Sequence, residues 1–482
     1  MDIAIPKQVV EFFNNFQRCI NEKKVNEIQN AYDEFSTIAS NYFSEQKMPQ
    51  VEILNKYFVV SGFFEYLYDQ LRYRLLFNNR KGSLEEFEES YFMHCKLFTY
   101  IMKEDISRQI YLPKQWIWDI LDSFIYQFIQ YMHYQNSTDE INKLIWKSAY
   151  VFHLLMEFIQ TAKFTKSSYY QMPKLFGIYS DVQFLKLNAI FGDFHLVLKS
   201  IEGIDSDQEM VMVHDCKATY YYYSAFASMM SREYQQSIRF CILLLNSLYK
   251  RDITPSLVFT HQNENFETKI KSILAISYVL FPCRLDENTN NQLREFMGDQ
   301  YNNMNKGELE AYLYYFDNVY QDFLPLTPDH KQSNIKNVFI EEMKQCFCIP
   351  PLRSIIKLYT ALPLKKLALL MGKKEEDVKI LLLLFKQKMK EIKAATNTDD
   401  ASEPVMTNTA PYLQLQPLPD FDFCLDKNGT LITFDTKIER KLGEYFIKQI
   451  LRFDEVWSAG LNDACMDMQL DRQISIDIFC RS

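Results

Sequence analysis

Glycine is scarce in this chain: it accounts for 11 of the 482 residues, roughly a third of its usual share in globular proteins. Left-handed turns, tight hairpins and phosphate-binding loops depend on glycine, because it adopts positive φ angles at little steric cost. Phenylalanine and tyrosine are abundant instead, with 38 and 31 residues. The composition therefore disfavours β-sandwiches, Rossmann enzymes and P-loop enzymes, and it predicts a mostly helical protein.

The charge balance argues against a protein that coats nucleic acid. The chain has 53 Lys and Arg against 62 Asp and Glu, which gives a net charge of −9, whereas nucleic-acid coats carry an extended basic face. A single local basic patch is compatible with this balance.

Ten cysteines are spread along the chain, and none of them forms a C-x-x-C pair. The nearest pair, Cys346 and Cys348, has no His or Cys cluster around it to complete a zinc site. We expect buried, reduced thiols and no metal or cofactor.

Targeting and membrane signals are weak. Asp2 and Pro6 do not fit a secretory signal peptide, and the apolar run 272–283 is shorter than the ~20 residues that span a bilayer. We therefore expect a soluble protein without a membrane partner, in the cytoplasm or nucleus, with the cytoplasm as our assignment.

Residues 1–180 are predicted to form an N-terminal helical region. The segment 112–128 predicts a long helix, and it carries Asp119 and Asp122 near its start. Two carboxylates three residues apart could act as a catalytic pair, but acids near a helix start also suit the helix dipole. We expect them to lie on a solvated face.

Residues 181–340 contain a weak internal repeat, in which 194–199 parallels 234–239. Small residues such as Ala225 and Ser237 would let antiparallel helices approach closely, as in tetratricopeptide-like (TPR-like) hairpins. The run Tyr220–Tyr223 could stack on bases, but four consecutive residues cover every side of a helix. We expect these rings to pack between helices.

Residues 341–436 predict a winged helix, and a long helix carries an apolar stripe that we extend to Ile392. A stretch at 394–420 reads as a flexible insertion, and Asn428-Gly429 predicts the turn of a following hairpin, the wing. A C-terminal helix at 437–460 and a tail at 461–482 complete the predicted organisation.

Helical hairpins that lead into a winged helix resemble the PCI-domain family, which supplies scaffold subunits to the proteasome lid, the COP9 signalosome and translation initiation factor 3. Four segments are similar to the L-subunit branch of that family: 112–128, 185–204, 352–372 and 434–450. Lys374 stands where a capping Thr or Ser would be expected, the 394–420 insertion is longer than in the family, and the tail is extra.

The resemblance implies a mainly α fold, a right-handed superhelix of TPR-like hairpins followed by a C-terminal winged helix. It also implies a hetero-oligomeric scaffold of translation initiation factor 3, beside the K subunit and other PCI subunits. Such a scaffold would help the complex engage the small ribosomal subunit in preinitiation complexes. The alternatives are a PCI subunit of the proteasome lid or signalosome, and a free winged-helix factor for RNA binding or mRNA export.

Partner contacts are expected at the wing and on the C-terminal helix, because sheet edges and large aromatics recur in interfaces. The candidate residues are Asn428, Gly429, Leu431, Phe434, Phe453 and Trp457. Packing inside this chain is an equal alternative for the last two. Possible RNA phosphate contacts on the long helix and just beyond it are Lys379, Lys386, Lys390 and Lys393.

No motif of nucleophilic, metal-dependent or phosphate-transfer chemistry is present, and the seven histidines lie far apart in sequence. We therefore expect no catalytic residues and no enzymatic activity.

Overall fold

The computed structural model describes most of the chain. The described residues are 6–43, 47–60, 62–79, 82–102, 111–137, 146–164, 171–204, 208, 211–249, 265–283, 285–320, 323, 334–388, 391–394, 413–416, 422–426, 429–434, 446–447 and 449–453. The chain divides into two compact units, Met1–Phe347 and Cys348–Ser482. The finer division into 1–180, 181–340, 341–436, 437–460 and 461–482 stays a prediction.

The described part of the first unit is helical. Its helices are α1 Lys7–Asn21, α2 Val25–Tyr42, α3 Val51–Leu54, α4 Gly62–Asn79, α5 Leu84–Met102, α6 Lys114–Ser137, α7 Ser148–Phe164, α8 Gln171–Phe191, α9 Phe194–Glu202, α10 His214–Met230, α11 Tyr234–Tyr249, α12 Phe266–Leu280, α13 Glu287–Met297, α14 Gln300–Lys306, α15 Leu309–Tyr320 and α16 Asn334–Cys346. Helices that follow each other in the chain pack together, as in α7–α8, α10–α11 and α11–α12. The predicted mainly α, helical-repeat fold is confirmed.

Local sequence signals set these helices. Val9, Phe13 and Phe16 are buried along one side of α1, as their helical spacing predicts. At the start of α5, Ser83 Oγ accepts the Glu86 N–H and Glu86 Oε2 accepts the Ser83 N–H, which is a capping box.

The close approach of α10 and α11 follows from small side chains. Ser237 is fully buried, and its Oγ donates to the Ala225 carbonyl across the helix pair at 2.8 Å. Tyr220, Tyr221 and Tyr222 are buried, whereas Tyr223 is half-buried. The packing prediction is thus confirmed for the first three residues of the run. Gly192, in the turn between α8 and α9, has φ +88°, a conformation that few other residues adopt.

The expectation of a solvated face at Asp119 and Asp122 is wrong, because both carboxylates are buried. Asp119 lies 3.1 Å from the guanidinium of Arg74 on α4, and the Tyr32 hydroxyl on α2 bonds to both groups. Asp122 pairs with Lys186 on α8 at 2.9 Å. These bonds connect α6 with α2, α4 and α8 and thereby fix the helices against each other.

A buried histidine on α5 contacts α6, the helix that carries Asp119 and Asp122. His94 on α5 is fully buried beside the rings of Phe98 and Phe124, and its Nδ1 lies 2.8 Å from the Ser90 carbonyl. Burial lowers the pKa of His94 from 6.5 to about 4, and the bond to Ser90 opposes this shift only in part.

His94 should make the first unit acid-sensitive. Because its folded-state pKa is depressed, the unfolded chain takes up a proton first, and stability is lost as pH falls from 6.5 to about 4. The pKa difference corresponds to about 3 kcal/mol. Urea unfolding across this pH range should therefore show that the unfolding free energy of His94→Phe decreases less with falling pH than that of the wild type. Phe98→Leu removes a neighbouring ring without removing a titratable group, so its unfolding free energy should decrease with falling pH as much as that of the wild type. The same dependence of unfolding free energy on pH in all three chains would contradict the role of His94.

The second unit contains the helices α17 Ile349–Ile356, α18 Leu364–Met371 and α19 Glu375–Lys388. Its strands are β1 Ala361–Pro363, β2 Glu391–Ala394, β3 Leu413–Gln416, β4 Asp422–Leu425 and β5 Thr430–Phe434. One sheet has the order β1-β5-β4 with antiparallel pairs, and β2 pairs with β3. Strands β2 and β3 lie between α19 and β4 in the chain. The remaining order of α17, β1, α18, α19 and the β4–β5 hairpin is the order that we expect for a winged helix.

Two details of this unit differ from the sequence predictions. Helix α19 ends at Lys388, so Ile392 lies in β2 and not on the helical stripe. Strand β3 falls inside the stretch 394–420 that we expected to lack regular structure, because Leu413–Gln416 pairs with β2. The three-residue strand β1 gave no sequence signal of its own, since it contains Pro363 and is too short to alternate.

Candidate protein interface of the winged-helix unit

The wing turn is anchored to the helices of its own unit. Gly429 has φ +74°, which an Asn-Gly turn requires, and its N–H donates to the Asp426 carbonyl at 3.0 Å. The Gly429 carbonyl accepts the N–H of Leu364 at the start of α18. Asn428 lies outside the described residues.

Strand β5 is the central strand of the three-stranded sheet. Leu431 stands opposite Leu362 of β1 and Leu425 of β4, and its side chain is fully buried. Phe434, at the end of the same strand, is 51% exposed. Of these two candidate contacts, Phe434 is thus open to a partner, whereas Leu431 is part of the core of this unit.

The edge strand β4 is occupied by side chains of its own unit at Phe423. The Phe423 N–H donates to Asp422 Oδ1 at 2.8 Å, and the Phe423 carbonyl accepts Lys386 Nζ at 3.0 Å. Lys386 and Asp422 lie 3.3 Å apart, and the Phe423 ring stacks on Phe385 of α19. We call Asp422, Lys386 and the Phe423 peptide the edge clamp. It works against our expectation that this hairpin offers its backbone to a neighbouring strand.

Of the four candidate RNA-binding lysines, the structure describes the side chains of Lys379 and Lys386. Lys379 is exposed on α19, while Lys386 is engaged in the edge clamp. Lys393 lies in β2, where its side chain is outside the described set, and Lys390 lies outside the described residues. Helix α19 also begins with the exposed acids Glu375, Glu376 and Asp377, which repel phosphate.

Apolar side chains are exposed on the two helices before the wing. Leu369 on α18 and Ile380 and Leu383 on α19 are 82%, 56% and 66% exposed. An open groove of about 500 Å³ lies beside the turn between these helices, lined by Gly372, Lys373, Lys374, Asp377, Ile380 and Leu381. Contiguous exposed apolar patches mark interaction surfaces, so these exposed side chains make α18 and α19 a candidate surface for a protein partner. The apolar run from Ile380 to Phe385 covers more than one side of a helix and predicts that much of α19 is buried between other helices. That prediction is wrong for Ile380 and Leu383, which are exposed.

Residues 446–447 and 449–453 are helical, and their apolar side chains are exposed. The exposed set is Phe446, Ile447, Ile450, Leu451 and Phe453, and Phe453 is 73% exposed. Within the described residues, therefore, Phe453 is not covered by this chain. Trp457 lies outside the described residues.

The described residues also bear on metal binding and on membrane insertion. No group of three or more His, Cys, Asp or Glu side chains in the described ranges could hold a metal ion. Among the described helices, none combines the length and the apolar character that crossing a membrane requires.

A family model described as RNA polymerase I-associated factor PAF67 matches residues 86–453. Eukaryotic translation initiation factor 3 subunit L of Xenopus tropicalis is 31% identical over 472 residues, which covers 88% of this chain and 81% of the relative. The subunit L proteins of Danio rerio and Nematostella vectensis are 30% and 28% identical and cover 98% and 94% of this chain, with 91% and 92% of their own lengths matched. The chain thus belongs to the subunit L family of eukaryotic translation initiation factor 3.

Proposed function

We propose that this chain is a non-catalytic scaffold subunit of translation initiation factor 3. In this role it supports assembly of the complex and its binding to the small ribosomal subunit in preinitiation complexes. Its direct neighbours would be the K subunit and other PCI subunits, in a hetero-oligomer that acts in the cytoplasm. The relatives named as subunit L support membership of the complex.

One observation carries the scaffold role: the C-terminal helical residues expose a set of large apolar side chains. Burying a side chain such as Ile or Phe contributes about 1.5–3 kcal/mol, so Ile450 and Phe453 together would contribute substantially to assembly. Large aromatics in interface centres often dominate binding energies. The surface therefore fits a bundle with helices of neighbouring subunits.

Nucleic-acid binding by the winged helix is the rival function. The acidic first turn of α19 and the engagement of Lys386 in the edge clamp count against it. Tight, salt-sensitive binding of RNA or DNA by the purified full chain would favour the rival.

The proposal predicts that tagged wild-type chain co-purifies with other factor 3 subunits and migrates with small ribosomal subunits on a sucrose gradient. The double variant Ile450→Asp with Phe453→Asp should lose most of the co-purifying subunits, because two carboxylates would have to be buried in the interface. Val59→Asp, which changes an exposed valine in the first unit, serves as the matched control and should assemble normally.

Two results would contradict the proposal. One is co-purification with proteasome or signalosome subunits in place of factor 3 subunits. The other is complete absence of the wild-type chain from small-subunit fractions. Unchanged assembly of the double variant would instead show that the C-terminal helix is not the contact.

A further inference from the structure

The exposed face of α18 and α19 combines apolar side chains with lysines. On α18, Lys366, Leu369 and Leu370 are exposed. Lys373, which is also exposed, follows just after the end of the helix, and its Nζ lies 3.1 Å from Cys348 Sγ. On α19, Lys379, Ile380 and Leu383 lie on the solvent side, opposite the buried Val378, Leu382 and Phe385. We call Leu369, Leu370, Ile380 and Leu383 with their flanking lysines the α18–α19 face.

The charges around this face indicate what would cover it. Five exposed lysines lie on the two helices and the turn between them: Lys365, Lys366, Lys373, Lys374 and Lys379. The acids of the same segment are confined to the first turn of α19, at Glu375, Glu376 and Asp377. An apolar strip beside lysines is complementary to a segment that carries apolar side chains and carboxylates.

The chain contains such a segment beyond the last described residue. Residues 454–482 carry six Asp and Glu against two Arg. Trp457, Leu461, Ala464 and Met468 recur at i, i+4, i+7 and i+11, the spacing of one helical face. Asp463, Asp467 and Asp471 recur every four residues on another face.

Residues 454–482 are long enough to reach the α18–α19 face from residue 453. They also lie outside the residues that the PAF67 family model matches. Its 29 residues span up to about 95 Å when extended, several times the radius of about 14 Å expected for a unit of this size. The family match ends at residue 453, directly before the segment.

We propose that residues 454–482 bind the α18–α19 face of their own chain and cover its apolar strip. The Leu369, Ile380 and Leu383 side chains bury apolar residues of the segment, and the lysines pair with its carboxylates. A protein that uses this face has to displace the segment first. This inference is independent of the proposed function, which rests on the helical residues 446–453.

Trp457 provides a direct measurement. The other three tryptophans, Trp116, Trp118 and Trp146, are buried in the first unit, so subtracting the spectrum of Trp457→Phe from that of the full-length wild type isolates the Trp457 emission. The proposal predicts blue-shifted emission and quenching by acrylamide that is several-fold weaker than in the urea-unfolded chain. In the variant Leu369→Asp with Leu383→Asp, the quenching should rise to the unfolded value. High salt should increase the quenching of the wild type in part, because it screens the lysine–carboxylate pairs.

Phe434→Asp is the matched control, since it places a carboxylate at an exposed apolar position of the same unit but on β5. It should leave the Trp457 emission unchanged, even where it weakens assembly. The proposal is overturned if Trp457 is quenched as strongly in the wild type as in urea, or if the α18–α19 variant leaves a protected Trp457 protected. It is also overturned if the protection increases with protein concentration, because the face is then covered by a second copy.

Discussion

Replacing Asp119 alone should cost the first unit about 3–5 kcal/mol of unfolding free energy, the usual result of removing one partner of a buried ion pair. In Asp119→Leu, the guanidinium of Arg74 stays buried without its carboxylate, and the Tyr32 hydroxyl loses an acceptor. The chain cannot relax by exposing Arg74, because this side chain is buried between helices. Urea unfolding followed by the emission of the three buried tryptophans of the first unit measures the loss.

The double variant Arg74→Met with Asp119→Leu should recover at least half of that loss. Replacing both partners removes the uncompensated charge and supplies apolar volume, a change that is often nearly neutral in other buried pairs. Asp33→Leu, at an exposed position of α2, is the control and should change stability by less than about 0.5 kcal/mol. A double variant as unstable as the single one would show that the helices depend on the ion pair itself.

The second large effect is expected at the wing. Substitution by Asp at two apolar positions of β5 should have different results, because one should unfold the unit and the other should weaken subunit binding. Leu431→Asp buries a carboxylate opposite Leu362 in the centre of the sheet, so it should destabilise the winged helix by more than about 4 kcal/mol. Phe434→Asp, at an exposed position, should leave the fold intact and weaken binding to other subunits. Hydrogen exchange of β1, β4 and β5, together with co-purification, separates the two outcomes.

Two outcomes would contradict these predictions for Phe434 and Leu431. If Phe434→Asp retains both native exchange protection and full co-purification, Phe434 does not contact a partner. If Leu431→Asp retains the protection of β5, the central position of that strand is wrong.

The sequence was sufficient where short-range patterns decide the structure. The spacing of Val9, Phe13 and Phe16, the capping box at Ser83 and the Asn-Gly turn at Gly429 all depend on neighbours within one or two helical turns or on a single dipeptide. Each therefore predicted its element correctly, and the scarcity of glycine predicted the helical class.

Long-range partners explain what the sequence did not predict. Asp122 is buried because Lys186 lies 64 residues later, and Asp119 is buried with Tyr32, 87 residues earlier; neither distance shows in a local pattern. Strand β1 exists only because β5 pairs with it. Lys386 looked like an exposed cation because its acceptor, the Phe423 carbonyl, is 37 residues away.

The edge clamp has a consequence for the interval between synthesis of the chain and its incorporation into a complex. A chain that waits for partners exposes the apolar residues of its C-terminal helix, and an unprotected sheet edge would add a template for strand-to-strand aggregation. Because Asp422 and Lys386 already occupy the N–H and the carbonyl of Phe423, a strand of a second copy would gain fewer hydrogen bonds by pairing with β4. We therefore expect surplus chain to associate less through β4 than through the exposed apolar residues of its C-terminal helix.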